Sequence, residues 1–409
     1  MKKDKKIFQL IEKEERRQQE TLDLIASENY PSKEVREALS SVFVAKYSEG
    51  RPFKRYYAGM ENVDKLETLV QEQVKKVFLK EKDRNNFSVN VQPLSGSPAN
   101  YAVLRSLLGK GDKILSLALN QGGHLSHGSP VSLVGEDFKI ANYYLDKKTC
   151  LLDYKEIERI ALKEKPKMII CGFSAYPRKI NFKEFRRIAD KAKSFLMADI
   201  AHVAGLVAGG AFPNPLPFVD VVTTTTHKTL RGPRGALIIC RKNLEDKIFP
   251  KVFPGLQGGP HNHTICAIGQ SLGEAATPQF KKYARQVVSN AQALAQELQK
   301  YGFNLVSGGT DSHLILVNLA NKNINGRDAQ EILEKSGIVA NKNAIPYDEL
   351  PPSRPSGIRF GTAALTTRGM KEKEMRKIAF WIKEIIESGK PSLKIKKEIK
   401  ILCEKFPIP

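Results

Sequence analysis

The stretch V-V-T-T-T-T-H-K-T-L-R-G-P-R-G, residues 221–235, decides how the rest of the chain is read. Its two valines and four threonines are all β-branched, which stiffens χ1 and favours an extended strand. Gly-Pro with flanking arginines then marks a loop. Lys228 therefore stands at a strand's exit, where open α/β sheets place their ligands. Working outward, K-I-L-S-L-A (113–118), K-M-I-I-C-G-F (167–173), F-L-M-A-D-I (195–200) and G-A-L-I-I-C (235–240) read as further buried strands. Helix-like segments at 98–108, 154–165 and 182–194 fall between them. Alternation of this kind predicts an α/β domain with a mostly parallel buried sheet.

The flanks differ in texture. Residues 5–25 read as a charged amphipathic helix, with Ile7, Leu10, Ile11, Leu22 and Ile25 available for contact. The segment 26–59 is irregular and rich in Tyr, Ser, Gly and Arg, the composition of a functional loop. A helix is expected at 63–78. Beyond Gly269 a long helix (278–300), a strand H-L-I-L-V-N-L (313–319), a helix (326–336), a proline-rich link (346–355) and a closing helix (371–388) predict a smaller α+β domain. The expected division is 1–75 for an N-terminal helical arm and loop segment, 76–272 for the large α/β domain and 273–409 for the small one.

Composition narrows the function classes. The chain has 409 residues, 41% hydrophobic and 27% charged, which suits a folded protein with two sizeable cores rather than a disordered one. The net charge of +22 would attract anions, from nucleic acid to phosphorylated or polycarboxylate small molecules. The basic residues are scattered, however, with no long block and no aromatic-interleaved RNA motif, so nucleic acid is not expected as the main partner. Five distant cysteines without a C-x-x-C pair point away from a disulfide framework or a zinc site and toward a reducing compartment. No metal site is expected. The N-terminus M-K-K-D-K-K-I-F runs into acidic residues without an apolar core, unlike a signal peptide. The apolar run 195–212 carries Asp199 and His202 and reads as a strand and loop, not a membrane span.

Three features join into chemistry. Asp199 ends an apolar strand 29 residues before Lys228, and a carboxylate there needs a partner. A pyridinium N–H would serve, because an adjacent anion keeps such a ring protonated and electron-withdrawing; a salt-bridged or capping aspartate is the plain alternative. S-G-S-P-A-N (95–100) offers Ser95, Gly96 and Ser97 at a helix start, with Pro98 expected at its first position. Helix starts of that kind bind phosphate, though the same tetrapeptide is also a common cap.

L-I-A-S-E-N-Y (24–30), K-R-Y-Y-A-G (54–59), V-Q-P-L-S-G-S-P-A-N (91–100), G-G-H-L-S-H-G (122–128), D-I-A-H-V-A-G-L-V-A (199–208), the 221–235 block, Q-G-G-P (257–260), S-G-G-T-D-S-H-L (307–314) and S-G-I-R-F-G-T (356–362) together resemble the serine hydroxymethyltransferase family. The blocks span nearly the whole chain. The resemblance implies an aminotransferase-like large domain with a mostly parallel seven-stranded sheet, and pyridoxal 5'-phosphate bound covalently by Lys228. It also implies tetrahydrofolate as co-substrate, transfer of a one-carbon group between serine and glycine, and a cytoplasmic homodimer or tetramer with shared sites. It places Asp199 on the ring nitrogen and His124 on the ring face, with His202 and Thr225 toward the phenolate side and the lysine. Ser95, Gly96, Ser97 and His227 would hold the phosphate, helped by Gly258 and Gly259 of a second subunit, and Ser174 would contact the cofactor. Arg359 and Ser27 would hold the substrate carboxylate. Glu49, flanked by Tyr47 and Tyr57, would move the proton. Leu119, Gly123, Leu125 and Asn343 would meet the folate. His127, His261, His263 and His313 receive no chemistry.

Three positions depart from the family pattern. Phe53, Ala58 and Leu256 stand where glycine is usual, which bears on subunit contact and folate access rather than on Lys228, Asp199 or Arg359. Two rival readings remain open at this level. One is a folate-independent aldolase using the same cofactor. The other is a basic RNA-binding protein on a catalytically silent scaffold.

Overall fold

The computed structural model describes residues 3–409. Met1 and Lys2, which open the basic N-terminal stretch, lie outside the described residues. The chain divides into two compact units: Pro31–Arg285 forms one, and the chain up to Tyr30 joins Gln286–Pro409 in the other.

In the larger unit seven strands make one sheet: β1 (Phe87–Asn90), β2 (Lys113–Leu117), β3 (Lys139–Tyr143), β4 (Met168–Cys171), β5 (Phe195–Asp199), β6 (Val221–Thr225) and β7 (Ala236–Arg241). Their order is β1-β7-β6-β5-β4-β2-β3. Only β7 runs antiparallel to its neighbours, β1 and β6; the other pairs are parallel. The expected strands are all present. β6 is buried at every position, V-V-T-T-T, as a central strand covered on both faces must be. The helices form where caps and periodicity coincide. Phe182–Ala192 starts on Asn181, whose side chain accepts from the Glu184 N–H, and buries Phe182, Phe185, Ile188 and Ala189 along one stripe. Helix Gly96–Leu107 buries Ala99, Val103 and Leu104 in a cluster that includes Met197, Val221 and Ile238.

One local expectation fails by two residues. Ser95 is the N-cap of that helix, so Pro98 occupies its third position, not its first. Proline is tolerated there because the first-turn N–H groups have no helical partner to lose.

The smaller unit holds a four-stranded sheet of β8 (Asn304–Leu305), β9 (Leu314–Asn318), β10 (Asn341–Asn343) and β11 (Gly357–Gly361), ordered β8-β9-β11-β10. Its core gathers Leu22 and Leu24 with Phe360, Trp381, Ile385 and Ile399. The N-terminal helix therefore stops at Glu20 rather than 25. Leu22 and Asp23 pair in parallel with Ile338 and Val339. Burying each leucine is worth about 1.5–3 kcal/mol, which a continued surface helix would forgo. Arg368 secures the turn: it donates to the carbonyls of Gln19 and Thr21 at the C-terminal end of that helix and to Cys403 and Phe406 at the end of another, Leu393–Lys405. That last helix was not read from the sequence. Ile7, Leu10 and Ile11 of the first helix are exposed, and among the described residues no helix is long and apolar enough to cross a membrane.

Candidate active site

The parallel register sets Asp199, the last residue of β5, beside Thr223 of β6. Lys228 follows three residues after β6 ends. Asp199 is held on both oxygens. Oδ1 accepts the Ala201 N–H at 3.0 Å; Oδ2 accepts Asn100 Nδ2 at 2.8 Å and His127 Nε2 at 3.0 Å. Burial opposes its charge, but His127, through its hydrogen bond and its charge, leads the groups that outweigh burial and hold the carboxyl well below the ordinary carboxylate range. The aspartate is thus an ion at strand's end, paired with His127. A carboxylate accepts about four hydrogen bonds, and three are in place.

Around it stand several of the expected residues. Thr225 Oγ1 donates to the Ala201 carbonyl at 3.5 Å, and the His202 carbonyl accepts from Thr229 at 2.9 Å. A Cβ at Gly96 would lie 2.7 Å from Thr225 Cγ2, so only glycine lets the helix start approach this strand. Ser95 caps that helix without a side-chain hydrogen bond. His227 is mostly buried, and its Nδ1 has no partner among the described residues. Burial first, then the nearby Arg234 and Lys228 charges, push its pKa down to about 3, so it is neutral. Ser174 donates its N–H to the Gly122 carbonyl at 2.9 Å. Leu119 and Leu125 are about half exposed on short turns of 3₁₀ helix, and Gly123 is buried between them.

A second group lies in the same unit. Tyr47 and Tyr57 both donate to Glu49, at 3.4 and 3.5 Å, and their rings meet edge-on with centroids 5.2 Å apart. Desolvation and the Glu49 charge raise the Tyr57 hydroxyl above its ordinary pKa. Gly259 packs on Tyr47, since a Cβ there would sit 3.2 Å from the ring, and one at Gly258 would sit 3.4 Å from Glu49 Oε1. The structure therefore brings Tyr47, Glu49, Tyr57, Gly258 and Gly259 together.

The loop under Glu49 is pinned from both sides by residues that sequence reasoning missed. Asn262 accepts the Ser48 hydroxyl and donates to the Lys46 carbonyl. Arg55 and Gln92 both donate to the Gly50 carbonyl. Arg55 also pairs with Asp64 at 2.8 Å and Glu67 at 2.6 Å, all three side chains being nearly sealed from solvent. Burial keeps Glu67 above its ordinary pKa even against Arg55. Phe53, in the tight turn beyond Gly50, has φ +63 and is 74% exposed, which accounts physically for glycine being the usual residue there. Ala58 and Leu256 do not take positive φ.

The smaller unit brings Ser27 and Arg359 into one neighbourhood. The Gly361 N–H donates to the Leu24 carbonyl at 2.7 Å, and His313 Nε2 lies 3.1 Å from the Ala26 carbonyl. The segment bearing Ser27 thus runs along β11, whose buried Arg359 donates to Asn341 Oδ1. Burial pulls the Arg359 pKa down to about 10. Asn343 donates to the Ala344 carbonyl on the adjacent β10.

A mostly parallel seven-stranded sheet with an ionised aspartate at one strand end and a lysine just past the next suits a phosphorylated pyridine aldehyde. The orphaned His227 nitrogen and the uncapped Ser95 hydroxyl suit its phosphate. Fold and site define a pyridoxal-phosphate enzyme of fold type I. The family model described as serine hydroxymethyltransferase matches residues 1–382, and the chain belongs to that family. Its members are pyridoxal-phosphate-dependent transferases that interconvert serine and tetrahydrofolate with glycine and 5,10-methylenetetrahydrofolate.

Proposed function

We propose that this chain carries out that one-carbon transfer with Lys228 as the residue that binds the cofactor and Asp199 as the partner of its ring nitrogen. The observation that carries the reading is Asp199, an ionised and mostly buried carboxylate at a strand end with three of about four acceptor positions filled. When bound, pyridoxal phosphate supplies an electron-withdrawing ring; the protein's task is to orient it and the substrate. His124 covers the ring face, His202, Thr225 and Ser174 border it, and Ser95, Gly96, Ser97 and His227 take the phosphate. Arg359, with Ser27, grips the substrate carboxylate: a guanidinium already desolvated by the fold gains from an arriving anion what burial cost it. Leu119, Gly123, Leu125 and Asn343 receive the folate.

Glu49 handles the proton of the serine hydroxyl, with Tyr47 and Tyr57 setting its direction. We place these three, with Gly258 and Gly259, in the site of a second copy, so that the working enzyme is a homodimer. The exposed Tyr47 and Tyr57 and their long bonds to Glu49 support this. The scattered cysteines fit the cytoplasm.

Borohydride reduction followed by peptide mapping tests the first claim: Lys228 should carry the label, and a label elsewhere would falsify the assignment. Mixing inactive Lys228→Ala and Glu49→Gln proteins tests the second. In random C2 dimers about a quarter of all sites regain both residues; no recovery means each chain completes its own site. Glycine formation at equal rates with and without tetrahydrofolate would instead favour the aldolase reading.

A further inference from the structure

We propose that Asn100 is a positioning residue that ties the carboxylate of Asp199 to the tautomer of His124 through the hydroxyl of Ser126. This rests on the roles given above to Asp199 and His124. A carboxamide has two N–H donors and one carbonyl acceptor, and Asn100 uses all three. Its nitrogen donates to Asp199 Oδ2 at 2.8 Å and to Ser126 Oγ at 2.9 Å, while its oxygen accepts the Thr223 hydroxyl at 2.6 Å. The amide cannot be reversed, because a carboxylate accepts only and would face a carbonyl oxygen. Asp199 therefore dictates which end of Asn100 meets Ser126.

The consequence passes along the chain. Ser126 Oγ accepts an N–H from Asn100 and keeps its own proton to give to His124 Nδ1, 2.8 Å away. The Ser126 backbone N–H points at the same ring nitrogen, at 3.2 Å. Two donors converging on Nδ1 leave no place for a proton there, so His124 is neutral with its hydrogen on Nε2. Water does not compete: Asn100, Ser126 and Thr223 are 1%, 5% and 1% exposed.

Functionally, His124 presents an N–H at Nε2 rather than a lone pair. It orients a group by donating a hydrogen bond and does not take the proton of the serine hydroxyl, which leaves that work to Glu49. The same amide that aims the carboxylate at the ring nitrogen thereby sets what the ring face can do.

Long-range proton–nitrogen NMR of histidine-labelled protein reads the tautomer directly, with His124 assigned by its loss in His124→Gln. The wild-type protein should show a proton on Nε2 alone, with and without pyridoxal phosphate. Ser126→Ala should admit the Nδ1-protonated form and lower kcat about 2- to 10-fold, the worth of one hydrogen bond, with cofactor retention unchanged; Ser126→Thr should restore both. Asn100→Ala should weaken cofactor retention and disturb His124 together. A proton on Nδ1 in the wild type overturns the inference, as does a Ser126→Ala protein with unaltered tautomer and kcat. So does an Asn100→Ala protein that loses cofactor while His124 is unmoved. If borohydride leaves Lys228 unlabelled, the cofactor reading falls, yet His124 in cofactor-free protein still decides this one.

Discussion

Two carboxylates of the larger unit sit in opposite surroundings. Asp199 accepts from Asn100 and His127 at 2.8 and 3.0 Å behind a wall of buried side chains. Glu49 accepts from Tyr47 and Tyr57 at 3.4 and 3.5 Å, and both rings are about half exposed. The first neighbourhood is complete within one chain, and its parts hold one another in place. The second is rigid only beneath the loop, where Asn262, Arg55 and Gln92 grip the backbone on either side of Glu49. The contrast teaches a division of labour. In the roles proposed above, the group that stays charged and aimed is closed off by short bonds, whereas the group that exchanges a proton keeps loose bonds and open space.

The largest effects should separate the two carboxylates. Asp199→Ala removes a preorganised charge, so kcat should fall at least about 10²- to 10³-fold and cofactor should leak on dialysis. Glu49→Gln should lower kcat about 10²- to 10⁴-fold, the range of general acid–base groups, with cofactor fully retained. If Glu49→Gln protein also loses its cofactor, the two regions are not distinct in the way drawn here.

Next in size is the support beneath Glu49. Arg55→Ala leaves Asp64 and Glu67 buried without their counter-ion, and breaking such a pair costs about 3–5 kcal/mol. Urea unfolding should show the midpoint shift, whereas an unchanged midpoint would mean that water replaces the guanidinium.

A pH series sharpens the contrast further. The folded-state pKa of Asp199 is depressed, so its stabilisation is fully present above the unfolded aspartate value of about 3.9 and lost as pH falls below it. Between pH 5 and 9 no titration of Asp199 should appear in cofactor retention. A loss of cofactor centred near pH 6 would show that the closed neighbourhood is not closed.

The smallest effect concerns Phe53. Its left-handed backbone costs about 1–2 kcal/mol for a side-chain residue, and glycine would lose about 0.5–1 kcal/mol in chain entropy. Phe53→Gly should therefore raise stability by no more than about 1.5 kcal/mol, seen as a small upward shift in Tm. A clear loss would show that the exposed ring contributes to association.

Much of this was legible before any coordinates. Apolar runs located five of the seven strands of the large sheet and β9 of the small one, and residue types at their ends marked Asp199 and Lys228. What escaped were polar residues whose importance is burial. Asn100, Asn262, Gln92 and Arg55 look in sequence like any surface amide or arginine, and nothing in the sequence around His127 points to Asp199. The helix Leu393–Lys405 escaped because its many lysines mask the buried positions Ile395, Ile399 and Leu402. The N-terminal helix was read too long because Leu22 continues an apolar pattern while belonging to a strand.

The sequence by itself determined which elements form and which chemical groups stand at their ends, because β-branching, periodicity and capping act over a few residues. Only the tertiary structure decided that Asn100 meets Asp199 and Ser126, that Arg55 lies between two carboxylates, and that the segment bearing Ser27 runs beside the strand bearing Arg359. Those meetings join residues far apart in the chain, and their energies come from burial and hydrogen-bond geometry that exist only once the chain has packed.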